Sequence, residues 1–153
     1  MKVVIQRVKS ASVVVEDKTV GSIGKGFLLL IGIGKGDTSS EVCAMAEKIS
    51  KMRIFEDENE KMNLALADVG GSVLAISQFT LYADCRRGNR PDFFNAAPPA
   101  EANELYELFV SELVQKGIHT EKGIFGADMK VSLVNDGPVT VILDSEDLKK
   151  SRK

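Results

Sequence analysis

The chain has 153 residues, 44% of them hydrophobic and 27% charged, with 20 Lys and Arg against 22 Asp and Glu. That length fits one compact domain burying about 70% of its unfolded surface, and the near-cancelling charge with ordinary apolar content excludes a disordered chain. The longest apolar run, Phe27 to Ile31, is strand-sized and far short of the ~20 residues of a membrane span.

A charge at Lys2 interrupts the N-terminal apolar stretch almost at once, which is not a signal-peptide layout. Two distant cysteines, Cys43 and Cys85, make no disulfide framework. With a single histidine they also leave too few ligands for zinc. The expectation is a cytoplasmic protein without a metal site, and nothing points to carboxylate-bound magnesium.

In chain order, Val3 to Val8 reads as a strand and Ser12 to Glu16 as another, rich in β-branched residues. Asp17-Lys18 turns into a third strand, Thr19 to Ile23. After Gly24-Lys25-Gly26, Phe27 to Ile33 is nearly all apolar, as expected of a strand covered on both faces. Thr38 and Glu41 form a capping box for a helix whose apolar stripe is Val42, Met45, Ala46, Ile49 and Met52 or Arg53. Arg53 to Phe55 leaves it as a short extended segment, Glu56 to Lys61 is a charged loop, and Leu64 to Val69 has no period.

Gly70-Gly71 is a turn, and Ser72 to Leu81 reads as a buried strand with a polar end. Ala83 to Ala97 has the charge and breaker content of a surface loop. Pro98-Pro99 opens a second helix, with Ala102, Leu105, Phe109 and Leu113 on its apolar side and Gly117 closing it. Ile124 to Val134 and Val139 to Leu143 read as two strands around a turn at Asn135 to Pro138, and the charged tail from Ser145 to Lys153 as frayed. The fold class is a single α/β domain with a mixed sheet and two main helices over residues 1–153.

Most candidate chemistry has a plain structural explanation. His119, just past Gly117, suits a residue interacting with the last carbonyls of the helix better than a general base, and no Ser-His-Asp arrangement can be assembled without it. Cys43 reads as a structural residue of the first helix. Cys85 has no visible partner to lower its pKa. Gly32, Gly34 and Gly36 follow a strand and precede a helix, but their spacing matches neither phosphate-binding fingerprint.

Two segments remain. Ser77-Gln78-Phe79-Thr80-Leu81 ends the central strand, placing hydroxyls, an amide and backbone N–H groups where α/β folds keep ligands. Asn135-Asp136-Gly137-Pro138-Val139-Thr140 is, by residue type, a turn. In this order, together with Gln6-Arg7-Val8, the Arg90-Pro91 loop, Ala96-Ala97 and Gly123 to Met129, these pieces closely resemble the D-aminoacyl-tRNA deacylase family over nearly the whole chain. Asp92, where many members have serine, is a small departure in the loop.

The resemblance implies a homodimer of layered α/β/β subunits, with active sites at the subunit interface. It implies hydrolysis of the ester joining a D-amino acid to the 3′ end of tRNA, with no cofactor. Ser77, Gln78, Phe79 and Thr80 map onto the catalytic motif. Backbone N–H groups around Phe79 would polarise the ester carbonyl, and Thr80 would position rather than attack, because no activating base is visible. Assistance from the terminal ribose 2′-hydroxyl is the alternative source of the attack.

Gly137 and Pro138 map onto a cis peptide that reaches the partner subunit's site and selects chirality, with Arg7 holding it in place. Their carbonyls would hold the substrate ammonium and exclude an L side chain, which leaves glycine unexcluded. Phe125 and Met129 map onto the pocket for the terminal adenine, although by residue type alone they suit a strand core.

A net charge of −2 is low for an RNA-binding protein and fits a grip on the acceptor end alone. Arg86, Arg87 and Arg90, with Lys149, Lys150, Arg152 and Lys153, are the local basic clusters, and binding is expected to weaken only shallowly with salt. No DNA or membrane partner is expected. Two further readings stand beside this one: a dimeric nucleotide- or RNA-end-binding module, and a general esterase or peptidase using Thr80.

Overall fold

The computed structural model describes residues 1–152; Lys153, the end of the expected tail, lies outside them. The elements are β1 (Lys2–Val15), β2 (Lys18–Ile23), β3 (Gly26–Gly32), α1 (Ser39–Lys51), β4 (Phe55–Glu56), β5 (Met62–Leu64), α2 (Leu66–Val69), β6 (Ser72–Ser77), a 3-10 turn (Phe79–Tyr82), α3 (Pro99–Gln115), β7 (Thr120–Lys122), β8 (Lys130–Asp144) and α4 (Ser145–Leu148). The main sheet runs β2-β1-β3-β6-β7, with β8 also paired to β1.

The parallel pairs β3–β6 and β6–β7 need crossovers, which α1 and α3 supply. Alternation along β3 and β6 explains why both strands are almost wholly apolar. Phe27, Leu29, Ile31, Val73 and Ala75 join the helices in one core. Leu28, Leu74 and Ile76 point the other way and meet Val8, Ala11 and Val13 of β1 and Ile23 of β2 in a second core. One helical layer and one folded-over sheet thus cover the two faces.

The expected break in the first strand is absent. β1 is continuous because β8 pairs along its length, from Lys2↔Asp144 to Val14↔Lys130. On its other edge the partner changes from β3 (Lys2 to Val8) to β2 (Ala11 to Val15). The polar Lys9 and Ser10, which looked like a gap, sit exposed at the changeover. The two strands expected around the turn at Asn135 are one element, β8: both flanks of the turn pair antiparallel with β1, and the register shifts across it. The strand expected from Ile124 begins only at Lys130, because Gly126 takes φ +77°, outside the extended region. β7 and the single turns α2 and α4 were too short to leave a periodic signal.

Helix α1 matches its signals. Thr38 caps it, Glu41 completes the box, and Val42, Met45, Ala46 and Ile49 are buried. Cys43, expected to be structural, is exposed instead, because it lies off that stripe. On α3 the buried face is Ala102, Tyr106, Phe109, Val110 and Leu113, so Leu105 is displaced to its margin by Tyr106. The helix ends in a Schellman arrangement in which Gly117 N donates to Val114 O and Ile118 N to Leu113 O, with Gly117 at φ +81°. Backbone donors therefore satisfy the last carbonyls, and the His119 side chain lies against Glu121 at 3.4 Å rather than on the helix end.

The tail also departs from expectation at its start. Ser145 is buried; its N–H donates to Met1 O at 2.8 Å and its hydroxyl accepts from the Met1 ammonium at 2.8 Å. Lys149 then reaches Glu41 at 3.0 Å. Hydrogen bonds from Thr38, with Lys149 adding to them, hold the Glu41 carboxyl at a pKa of about 2. A depressed pKa contributes stability that is complete above the ordinary carboxylate range and is lost as pH falls through the folded value. Thr38→Ala is therefore expected to cost about 1 kcal/mol at pH 7. In acid melts that deficit shrinks between pH 4.5 and about 2, as Glu41 protonates. A deficit independent of pH would place the capping energy elsewhere.

Candidate active site

Strand β6 stops at Ser77 rather than running to Leu81 because the chain tightens there into a 3-10 turn, with Leu81 N donating to Gln78 O at 3.3 Å and Ala83 N to Thr80 O at 3.1 Å. Gln78 N still donates to Ile31 O at 2.7 Å, so the turn is anchored to the end of β3. In such a turn the first N–H groups, those of Phe79 and Thr80, have no partner within it. The Gln78 amide donates to the Thr80 hydroxyl, which fixes both side chains at the strand's carboxyl end.

Next to this turn is a cavity of 720 Å³, within the range of small-molecule sites. Ser77, Gln78 and Phe79 form one wall, and Phe125 and Met129 another. The loop before α3 contributes Phe93 and Phe94. The structure thus unites the motif at 77–79 with the two residues expected at the adenine pocket. Thr80 sits beside the cavity, exposed, and is not part of its wall. Phe125 leans on Tyr106, ring centroids 6.2 Å apart. Burial raises the Tyr106 phenol's pKa, and its hydroxyl donates to Ala75 O at 2.6 Å. That wall is rigid.

Arg7, Gly137 and Pro138 form a separate cluster. Gln6 pairs with Thr140 and Val8 with Asn135, so Asp136 to Val139 stand opposite Arg7 alone and loop out of the ladder. The buried Arg7 guanidinium spans the gap, donating from Nε to Asp136 O at 2.9 Å and from Nη1 to Ile54 O at 2.7 Å. Gln6 Oε1 accepts from Thr140 Oγ1 at 2.6 Å and from the Asn135 amide, whose own oxygen accepts from Val139 N at 2.8 Å. The Gly137–Pro138 bond is cis, and both residues are exposed. They do not line the cavity of their own chain.

Gln6 is the positioning residue that the sequence reading left without a role; the signal was its place beside Arg7 in an otherwise apolar strand. Phe93, Phe94 and Lys35 were missed as wall residues because their loops lack periodicity. His119 is remote: its carbonyl accepts from Val73 N at 2.9 Å, at the opposite end of β6 from Ser77. Among the described residues no three His, Cys, Asp or Glu side chains group as a metal site. Of the basic clusters, Arg86 chelates Asp84 and holds that carboxyl at about 2, and Lys149 and Lys150 are paired with acidic neighbours.

A mixed-sheet α/β domain with a mainly apolar cavity at a strand's carboxyl end is the class that the fold and site define. Residues 4–144 match the family model for D-Tyr-tRNA(Tyr) deacylase, and the chain belongs to that family. It is 58% identical over 146 residues to the D-aminoacyl-tRNA deacylase of Koribacter versatilis (strain Ellin345), covering 95% of this chain and 98% of the relative. It is 55% identical over 148 residues to that of Thermotoga petrophila, covering 97% and 99%. A solved structure titled c-Myc DNA Unwinding Element Binding Protein superposes with a TM-score of 0.88 at 40% identity, covering 94% of this chain and 98% of that one. A probable eukaryotic D-amino acid tRNA deacylase, 16% identical, shares the fold at 0.79.

Proposed function

We propose that this chain is a D-aminoacyl-tRNA deacylase, a hydrolase that cleaves the ester between a D-amino acid and the 3′ end of tRNA. The observation that carries the reading is the single cavity joining the Ser77-Gln78-Phe79 turn to Phe125 and Met129. An adenine between Phe125 and Met129 directs its ribose 3′ ester toward the turn. There the free N–H groups of Phe79 and Thr80 stabilise the oxyanion. Thr80, whose hydroxyl is held by Gln78 with no base beside it among the described residues, positions rather than attacks. Water attacks, assisted by the ribose 2′-hydroxyl, so the RNA supplies part of the catalysis.

Chirality is selected by the backbone carbonyls of Gly137 and Pro138, which hold the substrate ammonium and leave no room for an L side chain. Because these residues are exposed and stand apart from their own chain's cavity, they serve the site of a second copy. Val134 and Ile142, exposed at 52% and 71% on the same strand, offer the apolar surface for that homodimer. The enzyme needs no cofactor, acts on the acceptor end in the cytoplasm, and grips neither DNA nor membrane.

Hydrolysis of D-tyrosyl-, L-tyrosyl- and glycyl-tRNA by wild type and Thr80→Ala tests the reading. The expected result is loss of the D and glycyl esters only, with Thr80→Ala reduced but active. A folded protein that leaves all three intact is a binding module. Cleavage of L esters and simple activated esters alike marks a general esterase. Full resistance of glycyl-tRNA rejects selection by excluding the side chain.

A further inference from the structure

At the cavity mouth, Phe94 is 74% exposed, although phenylalanine is among the residue types most often fully buried. The Lys35 ammonium lies 3.3 Å from its ring centroid, a cation–π contact that covers one face of the ring. Such exposure leaves the other face open to solvent. Both residues line the same cavity as Phe79 and Phe125.

The pair is held by backbone rather than by side-chain chance. Lys35 N donates to Asn95 O and Ala97 N to Ile33 O, each at 3.0 Å, which zips the two loops together. Phe94 N donates to the Asp92 carboxylate at 3.2 Å, so Asp92, the departure from the family pattern, anchors the backbone that carries the aromatic. Gly34 N donates to Asp37 Oδ2 at 2.7 Å, and that carboxylate also pairs with the Met1 ammonium at 2.7 Å. The loop leading to Phe94 closes on itself through Asp84 and Asp92. It carries Arg87 and Arg90, which, like Lys35, have no ion pair among the described residues.

We propose that Phe94 and Lys35 form a stacking subsite for the nucleotide immediately 5′ of the terminal adenosine. This rests on the deacylase reading, since the terminal adenosine must occupy the inner cavity for its neighbour to reach the mouth. The free face of Phe94 takes the base, for which any base has a suitable π-face, and Lys35 faces the linking phosphate. An exposed aromatic on a backbone-anchored loop, beside a cation with no ion pair among the described residues, suits a single-stranded nucleotide, which brings one flat base and one charge, better than an apolar protein segment.

The test compares inhibition of D-tyrosyl-tRNA hydrolysis by adenosine and by the dinucleotide cytidylyl-(3′,5′)-adenosine. Wild type is expected to bind the dinucleotide about tenfold more tightly. In Phe94→Ala the preference falls to within about twofold, and KM for D-tyrosyl-tRNA rises about tenfold while kcat changes far less. Lys35→Gln lowers the slope of log KM against log salt by about 0.7, one single-strand phosphate. The same dinucleotide preference in wild type and in a Phe94→Ala variant that sediments like wild type overturns the proposal. Wild type inactive on D-tyrosyl-tRNA overturns the deacylase reading instead, and calorimetric titration with the two inhibitors then decides the subsite separately.

Discussion

Gly137→Ala is expected to lower kcat/KM for D-tyrosyl-tRNA by about 100-fold, the cost of misplacing a positioning group by ~1 Å, and to erode the preference over the L ester. Gly137 takes φ +138°, a region that residues with a side chain adopt only under strain. A Cβ there stands 2.8 Å from Val139 Cγ2, 3.0 Å from Val139 N and 3.2 Å from Arg7 Nη2. The Val139 nitrogen is already committed to Asn135, and Arg7 to two carbonyls, so the loop itself must shift. Gly117→Ala is the matched control: it also has positive φ, +81°, but open space around the new methyl. Both variants should lose about 1–3 kcal/mol of stability, and only Gly137→Ala should lose activity and selectivity. Equal, small losses of activity would mean that the Asp136–Val139 loop does not touch the substrate.

Arg7→Leu is expected to be the most destabilising single change discussed here. It leaves the carbonyls of Asp136 and Ile54 without their donors in a partly buried setting. Hydrogen bonds from a charged donor are worth about 1.5–3 kcal/mol each, so the loss is about 3 kcal/mol, or roughly 6–12 °C in Tm for a domain of this size. The Glu56 contact adds little, since Glu56 is half exposed and 3.7 Å away. Arg7→Lys separates the structural from the functional part. A single ammonium retains the charge but cannot bridge two divergent carbonyls. It should recover part of the Tm while selectivity between D- and L-tyrosyl-tRNA stays low. If Arg7→Lys restores both, the charge of Arg7 matters and its fork does not.

Much of the fold was legible because its signals are local. The Thr38–Glu41 box, the stripe of α1 and the glycine closing α3 each lie within one helical turn of the feature they specify, and the all-apolar run of β3 announced burial on both faces. The candidate site was legible as motifs, through the order of Ser77 to Thr80, Asn135 to Thr140 and Phe125 with Met129. No local rule covers what went astray. Lys9-Ser10 lies within a continuous strand because a partner more than a hundred residues away supplies the ladder, and Asp136 to Val139 bulge from that ladder while both flanks stay paired to β1.

By itself, then, the sequence determined the fold class, the two long helices, the double-sided sheet and the family to which the chain belongs. Only the tertiary structure decided that Arg7 and Gln6 jointly hold the looped-out Asp136–Val139 segment and that Phe93, Phe94 and Lys35 wall the cavity. It also decided that His119 and the start of the tail play parts other than those expected. The physical reason is the range of the interactions. Caps and amphipathic stripes are satisfied within a few residues, whereas a buried guanidinium and a zipped pair of loops find partners that only the closed chain brings within hydrogen-bonding distance.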